Sequence, residues 1–167
     1  MNKERWIGLG VILVLIGGLL VVKAKQTPKK LDEKGLTGEG VEIEEKASEL
    51  AKRMGVVFPD DVEKTDLKDV TGGTGTGLAT RKWAGGTFTH SVLAGLTDPE
   101  KGSWYESWLV GEEPSDFIYT GKLRMAKGGW VLDYTSKTDL TDHRKVMVTL
   151  EKVDDRKPET KILEGSF

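Results

Sequence analysis

Cysteine is absent from this 167-residue chain. That absence removes disulfides, thiolate zinc sites, a cysteine nucleophile and a lipoprotein acylation site together, though by itself it assigns no compartment. Histidine is almost as scarce, with His90 and His143 the only two imidazoles. A surplus of one charge is missing as well: the net charge is -2 although 31% of residues are charged. No global basic excess therefore points to nucleic acid, and nucleic acid is not an expected partner.

What the chain does have is an apolar run at its front. From Trp6 to Val22 seventeen residues read WIGLGVILVLIGGLLVV without a charged or strongly polar side chain. As a helix this run spans about 26 Å, close to a hydrocarbon thickness of about 30 Å once flanking lysines snorkel. Trp6 and Lys23 fall at the two expected membrane interfaces. Lys3 and Arg5 precede the run while Lys23, Lys25, Lys29 and Lys30 follow it, so charge counting alone does not orient it. The short basic N-terminal flank is that of a signal peptide or signal anchor, which favours N-in and C-out. Val22-Lys23-Ala24 places compact residues where a signal peptidase reads, so cleavage after Ala24 stands beside retention. Retention is preferred because Gly17 and Gly18 suit tight helix packing and lysines flank the cleavage site. A buried core helix is the poorer reading, since a domain this small does not cover such a run all round.

Residues 23–42 are polar and punctuated by glycine and proline, which makes them a linker. Over residues 43–55, Ile43, Ala47, Leu50, Ala51 and Met54 recur at helical spacing with Gly55 as C-cap, predicting one short amphipathic helix, loosely attached. Beyond it, period-two alternation and turn residues predict strands at Gly77–Trp83, Thr87–Leu96, Tyr105–Val110, Phe117–Met125, Trp130–Asp133, Lys145–Lys152 and Lys161–Leu163. Short strands without an intervening helical pattern argue for an all-β fold, an antiparallel sandwich or barrel. The expectation is a Greek-key, immunoglobulin-like β-sandwich over residues 56–167. Val146, Val148 and Leu150 share one face against Lys145, Met147, Thr149 and Glu151. Tyr105, Ser107 and Leu109 oppose Glu106, Trp108 and Val110, a pattern that suits a strand covered on both sides.

The C-terminal block resembles the extracytoplasmic domain of the anti-sigma-K factor family. The likeness is carried by Tyr105-x-x-Trp108-Leu109-Val110, Gly121 opening a strand, the apolar Trp130–Leu132, Val146-Met147-Val148-Thr149-Leu150-Glu151, and a closing Pro158 with Ile162-Leu163-Glu164-Gly165. Upstream, Thr87–Leu96 ends in Ala94-Gly95-Leu96 before a proline turn, as in that family. The resemblance covers about the last 80 residues. It implies a β-rich outer domain on a single-pass protein of the bacterial plasma membrane, in a system that regulates a sigma factor. The family's sigma-binding domain precedes its membrane helix, whereas here residues 1–5 alone do, as a short cytoplasmic N-terminus. Direct sigma-factor inhibition is therefore not expected of this chain alone.

Chemistry-bearing residues are few. A lone histidine in a strand is more often packed than a base or ligand, and Ser91 beside His90 faces the other side of its strand. Carboxylates gather at Asp60, Asp61, Glu63, Asp66 and Asp69, and again at Asp139, Asp142, Asp154 and Asp155. They lack the spacing of a calcium loop and read as solvated charge. Gly72-Gly73-Thr74-Gly75-Thr76-Gly77 has neither the lysine of a P-loop nor a following helix, so it reads as a turn or strand lead-in. Core packing is the safer reading of the tryptophans, and Trp104 and Tyr105, at a strand start, are the candidate interaction surface. The expectation is a non-enzymatic, membrane-anchored interaction or sensory domain without a cofactor, its protein partner unspecified. The rival readings are an envelope protein that binds wall polymer and a small hydrolase using Asp/Glu.

Overall fold

The structure, a computed structural model, describes residues 47–113 and 115–167. The expected anchor, linker and interface residues Trp6 and Lys23 lie outside the described residues, as does the start of the expected helix. Among the described residues no helix is long and apolar enough to cross a membrane.

Nine strands are described: β1 (Glu63–Asp69), β2 (Thr76–Ala84), β3 (Thr87–Gly95), β4 (Trp104–Val110), β5 (Phe117–Lys122), β6 (Arg124–Ala126), β7 (Gly129–Ser136), β8 (Lys145–Glu151) and β9 (Thr160–Ser166). The antiparallel all-β class is as expected. All nine strands, however, form one sheet in the order β5-β4-β8-β9-β1-β2-β3-β7-β6, whereas a sandwich divides its strands between two. The strands at the two ends of that order, β5 and β6, are consecutive in the chain and separated only by Leu123. One extended segment thus pairs with β4 through its first half and with β7 through its second. The segment expected as one strand, Phe117–Met125, is this bent joint. Leu123 is buried and donates its N–H to the Tyr105 carbonyl at 2.9 Å. A register shift between Ser107 and Trp108 places a bulge at Thr120, shortly before this joint. The sheet therefore curls into a nearly closed barrel, which hides most of its strand edges.

Alternation decides what fills the barrel. Leu67, Ala79, Phe88, Val92, Tyr105, Leu109, Leu132, Val146, Val148 and Leu163 form one buried cluster drawn from seven strands. β4 is covered on both faces as its sequence suggests, since Glu106 and Trp108 on the opposite face are 3% and 1% exposed. Trp108 donates its indole N–H to the Thr149 hydroxyl at 2.8 Å and meets the Tyr119 ring edge-on.

β1 was not foreseen. Its sequence, EKTDLKD, offers one apolar residue, Leu67, which is fully buried. The strand is nevertheless paired along six positions with β2 and sits at the middle of the sheet order. The carboxylates read as solvated loop charge are partly structural as a result. Glu63 holds Arg81, Asp61 pairs with Lys82 and Asp69 organises the next turn.

The helix, described over residues 47–53, is firmly seated rather than loosely attached. Ala47, Leu50, Ala51 and Met54 are buried, and the last three pack with Leu93 on the outside of the sheet. Gly129 makes room for this: a Cβ there would lie 2.6 Å from the Met54 sulfur. The helix ends in a Schellman motif, with Val56 N–H on Ala51 O and Gly55 N–H on Lys52 O, and Gly55 takes the left-handed φ of 62° that the motif requires.

Candidate functional site

Of the two residues expected to form an interaction surface, neither presents a free aromatic face. Tyr105 is 5% exposed and points into the barrel, where its ring meets Trp130 edge-on at 5.3 Å and its hydroxyl donates to Thr97 O at 3.1 Å. Burial pushes the phenol above its ordinary range, against the lowering effect of the Thr97 bond. Trp104 is half-buried on the opposite face. Its N–H donates to Glu106 at 2.7 Å and the Lys122 ammonium lies 3.9 Å from its ring. Adjacent strand residues point oppositely, so the pair does not form one surface.

The histidines are engaged structurally. His90 is 1% exposed, with Nδ1 placed 2.8 Å from Thr80 O. Burial pulls its imidazole down to about 4, and the neighbouring Arg81 charge adds to that against the Thr80 bond. His143 links Asp142, at 2.7 Å, to Asp116, at 3.2 Å. Arg81 was not singled out in the sequence, yet it is the hub of this end of the barrel. It is 4% exposed, grips Glu63 through Nε and a terminal nitrogen, donates to Thr141 O and His143 O, and lies 4.3 Å from the Phe167 ring centre.

Two carboxylates, Glu106 and Glu151, lie close on one face of β4 and β8 and are 3% and 0% exposed. Burial raises the Glu151 carboxyl, and the nearby Glu106 and Glu159 charges add to that against its hydrogen bonds. Covered in this way, the pair has no access to a substrate. No group of three or more His, Asp or Glu side chains able to hold a metal ion occurs among the described residues.

The prominent concavity is elsewhere, at the barrel end where β1 turns into β2. It is a solvent-open cleft of about 1070 Å³, between helix residues Lys52 and Arg53 on one side and the Thr71–Gly75 turn on the other. The glycine run is the turn and strand lead-in that the sequence suggests, and Asp69 fixes its shape. One carboxyl oxygen accepts from Thr71 N, the Thr71 hydroxyl and Gly73 N at 2.8, 2.6 and 3.2 Å, and the other from Gly75 N at 2.9 Å. Burial pushes the Asp69 carboxyl up, but these four donors outweigh it and hold the group below its ordinary range. The turn is thus preorganised, its backbone bonds directed inward at Asp69. The floor between the walls holds Thr76, Leu96, Thr97, Tyr105 and Ile162.

No family model matches the chain, and no curated protein or solved structure matches it either.

Proposed function

We propose that this chain is a membrane-anchored domain displayed outside the cytoplasm, which senses by binding rather than by catalysis and reports to an anti-sigma-factor-like regulatory system. The apolar run Trp6–Val22 with its short basic flank supports the anchor and the N-in orientation. The resemblance of the C-terminal pieces, in their order and spacing, to the anti-sigma-K family supports the regulatory setting. One observation carries the binding reading: the wall of the cleft is helix 47–53. That helix directly follows the linker in sequence, so whatever fills the cleft bears on the element nearest the anchor. Glu106 and Glu151, being buried, are not the open carboxylate pair that the hydrolase reading needs.

The test has two arms. A C-terminal alkaline phosphatase fusion is expected to be active and a C-terminal fluorescent protein fusion dark; the reverse pattern overturns the topology. A photo-crosslinking residue at Thr74, in the native membrane, is expected to trap a partner or polymer, while the same residue at Lys137 does not. Equal labelling at both positions overturns the assignment of the cleft.

A further inference from the structure

The outer face of β4 and β8, away from the cleft, carries two acids under a loop. Trp104 stands opposite Glu151 across this strand pair, and Glu106 opposite Thr149. Directly opposed residues share a face, so Glu106 and Glu151 are diagonal neighbours on one side of the sheet. Both are shut from water, at 3% and 0% exposure. Ionising both at once sets like charges side by side where solvent screens them poorly.

Their partners differ, which decides where a proton sits. Glu106 accepts the Trp104 indole N–H at 2.7 Å and has the Lys122 ammonium 4.0 Å away, two partners that suit a carboxylate. Glu151 is less well supplied. Its Oε1 accepts the Glu159 N–H at 3.1 Å, but its Oε2 is closed to solvent and has no partner. A bare anionic oxygen costs far more to bury than a neutral acid group does. Glu151 is thus the member that holds the proton, in line with the upward pull of burial on its carboxyl.

The charged groups around the pair leave Glu151 without a counter-ion, and it makes no ion pair among the described residues. On β5, Lys122 reaches Asp154 at 3.1 Å as well as Glu106, and burial pushes the Tyr119 phenol above its ordinary range. On β9, Lys161 is paired with Glu164. From the loop of residues 152–159, Arg156 lies 4.0 Å from the Tyr119 ring centre and 3.9 Å from Asp154, while Glu159 adds a negative charge. Lys152, Asp155 and Lys157 of the same loop are exposed.

These contacts also fold the loop back onto the two acids. Glu159 N–H is tied to Glu151, Asp154 to Lys122 and Arg156 to the Tyr119 ring. The geometry points to a proton-operated latch: the β8–β9 loop lies closed over Glu106 and Glu151 while Glu151 keeps a proton, and loosens when that proton leaves and the carboxylate draws in water. In the closed form the Glu151 carboxyl is held above its ordinary 4.5, so closure has its full margin below about pH 4.5 and loses it as pH rises through the raised value. Acid closes the latch and rising pH loosens it. The device goes beyond the binding reading, since it acts whatever the cleft holds and wherever the domain is displayed.

The test follows hydrogen exchange in the full chain in detergent, with protection factors corrected for the intrinsic effect of pH on exchange. Peptides covering residues 152–159 are expected to lose protection by at least about threefold between pH 4.5 and pH 8, while those covering β2 do not. Glu151→Gln, neutral at every pH, is expected to keep the acid level of protection throughout. Glu106→Gln removes the facing charge and is expected to shrink the loss. Should Glu151→Gln fail to fold, the carboxyl carbon resonance of Glu151 in the unaltered chain decides: a midpoint above 4.5, tracking the loss of protection, supports the latch, and a midpoint at or below 4.5 overturns it. A flat profile over 152–159, the same loss in Glu151→Gln, an unchanged loss in Glu106→Gln, or an equal loss in β2 also overturns it.

Discussion

Replacing Arg81 by methionine tests whether the end of the barrel opposite the cleft is held by one guanidinium. Its ties are unequal. Glu63, at 2.9 and 3.0 Å, is 59% exposed at its side chain, so that pair is screened and contributes about 0–1 kcal/mol. The carbonyls of Thr141 and His143, at 2.9 and 3.2 Å, receive charge-assisted bonds of about 1.5–3 kcal/mol each. The Phe167 ring at 4.3 Å adds about 1 kcal/mol. Against this gross loss stands the desolvation of a cation that is 4% exposed, a cost of several kcal/mol that methionine no longer bears. The balance is a destabilisation of about 3 kcal/mol for Arg81→Met. Arg81→Lys keeps the charge but not the fork and is expected to lose about half as much. Glu63→Gln is expected to lose under about 1 kcal/mol. Urea unfolding of the full chain in detergent, followed by tryptophan fluorescence, measures all three, with the m-value as a check on compactness. If Arg81→Met lies within about 1 kcal/mol of wild type, or Glu63→Gln matches it, the backbone carbonyls are not what the guanidinium secures and the reasoning fails.

The remaining predictions concern His90 and Gly165. The imidazole of His90 is held down to about 4 from an ordinary 6.5, so the unfolded chain takes up a proton that the folded one refuses. Stability from this residue is complete above about pH 6.5 and declines as pH falls toward 4, by about 3 kcal/mol in all. His90→Gln is expected to flatten that limb of the pH–stability profile, and an unchanged slope between pH 6.5 and 4 refutes the assignment. A Cβ on Gly165 would lie 2.4 Å from the Asp66 carbonyl oxygen and 2.8 Å from a Leu67 methyl. Gly165→Ala is therefore expected to part β9 from β1 at a cost of about 2–3 kcal/mol. At Gly95 the nearest atoms stand off at 3.4 Å, and alanine there is expected to cost under about 1 kcal/mol; similar losses at the two sites would contradict this geometry.

How much of this was legible in the sequence depends on how each element is stabilised. β2, β3, β4 and β8 carry alternating apolar residues and turn signals at their ends, and their expected bounds fall within two residues of the observed ones. β1 carries one apolar residue and is held by its pairing with β2 and by Glu63 and Asp61 on Arg81 and Lys82. Side-chain periodicity does not register a strand whose hold is backbone pairing and ion pairs. Closure was hidden for a related reason. A bend at Leu123 leaves the alternation on either side intact, so the segment reads as one strand although it changes partner there. Whether two layers are separate sheets or one curled sheet depends on which edges meet, and that is a property of long-range pairing.

The site shows the same division between local and long-range information. The amphipathic helix and the glycine-rich turn were each visible, the first by spacing and the second by composition, but nothing local says that they face each other. Their juxtaposition follows from the seat of Leu50 and Met54 beside Gly95 and Gly129, at the end of the sheet where β1 passes into β2. Tyr105 follows the core packing that the alternation of its strand allows, its ring meeting Trp130 inside the barrel. Leu50, Ala51 and Met54 fix the position of the helix, and the side chains it then turns to the cleft, Glu49, Lys52 and Arg53, carry both signs of charge.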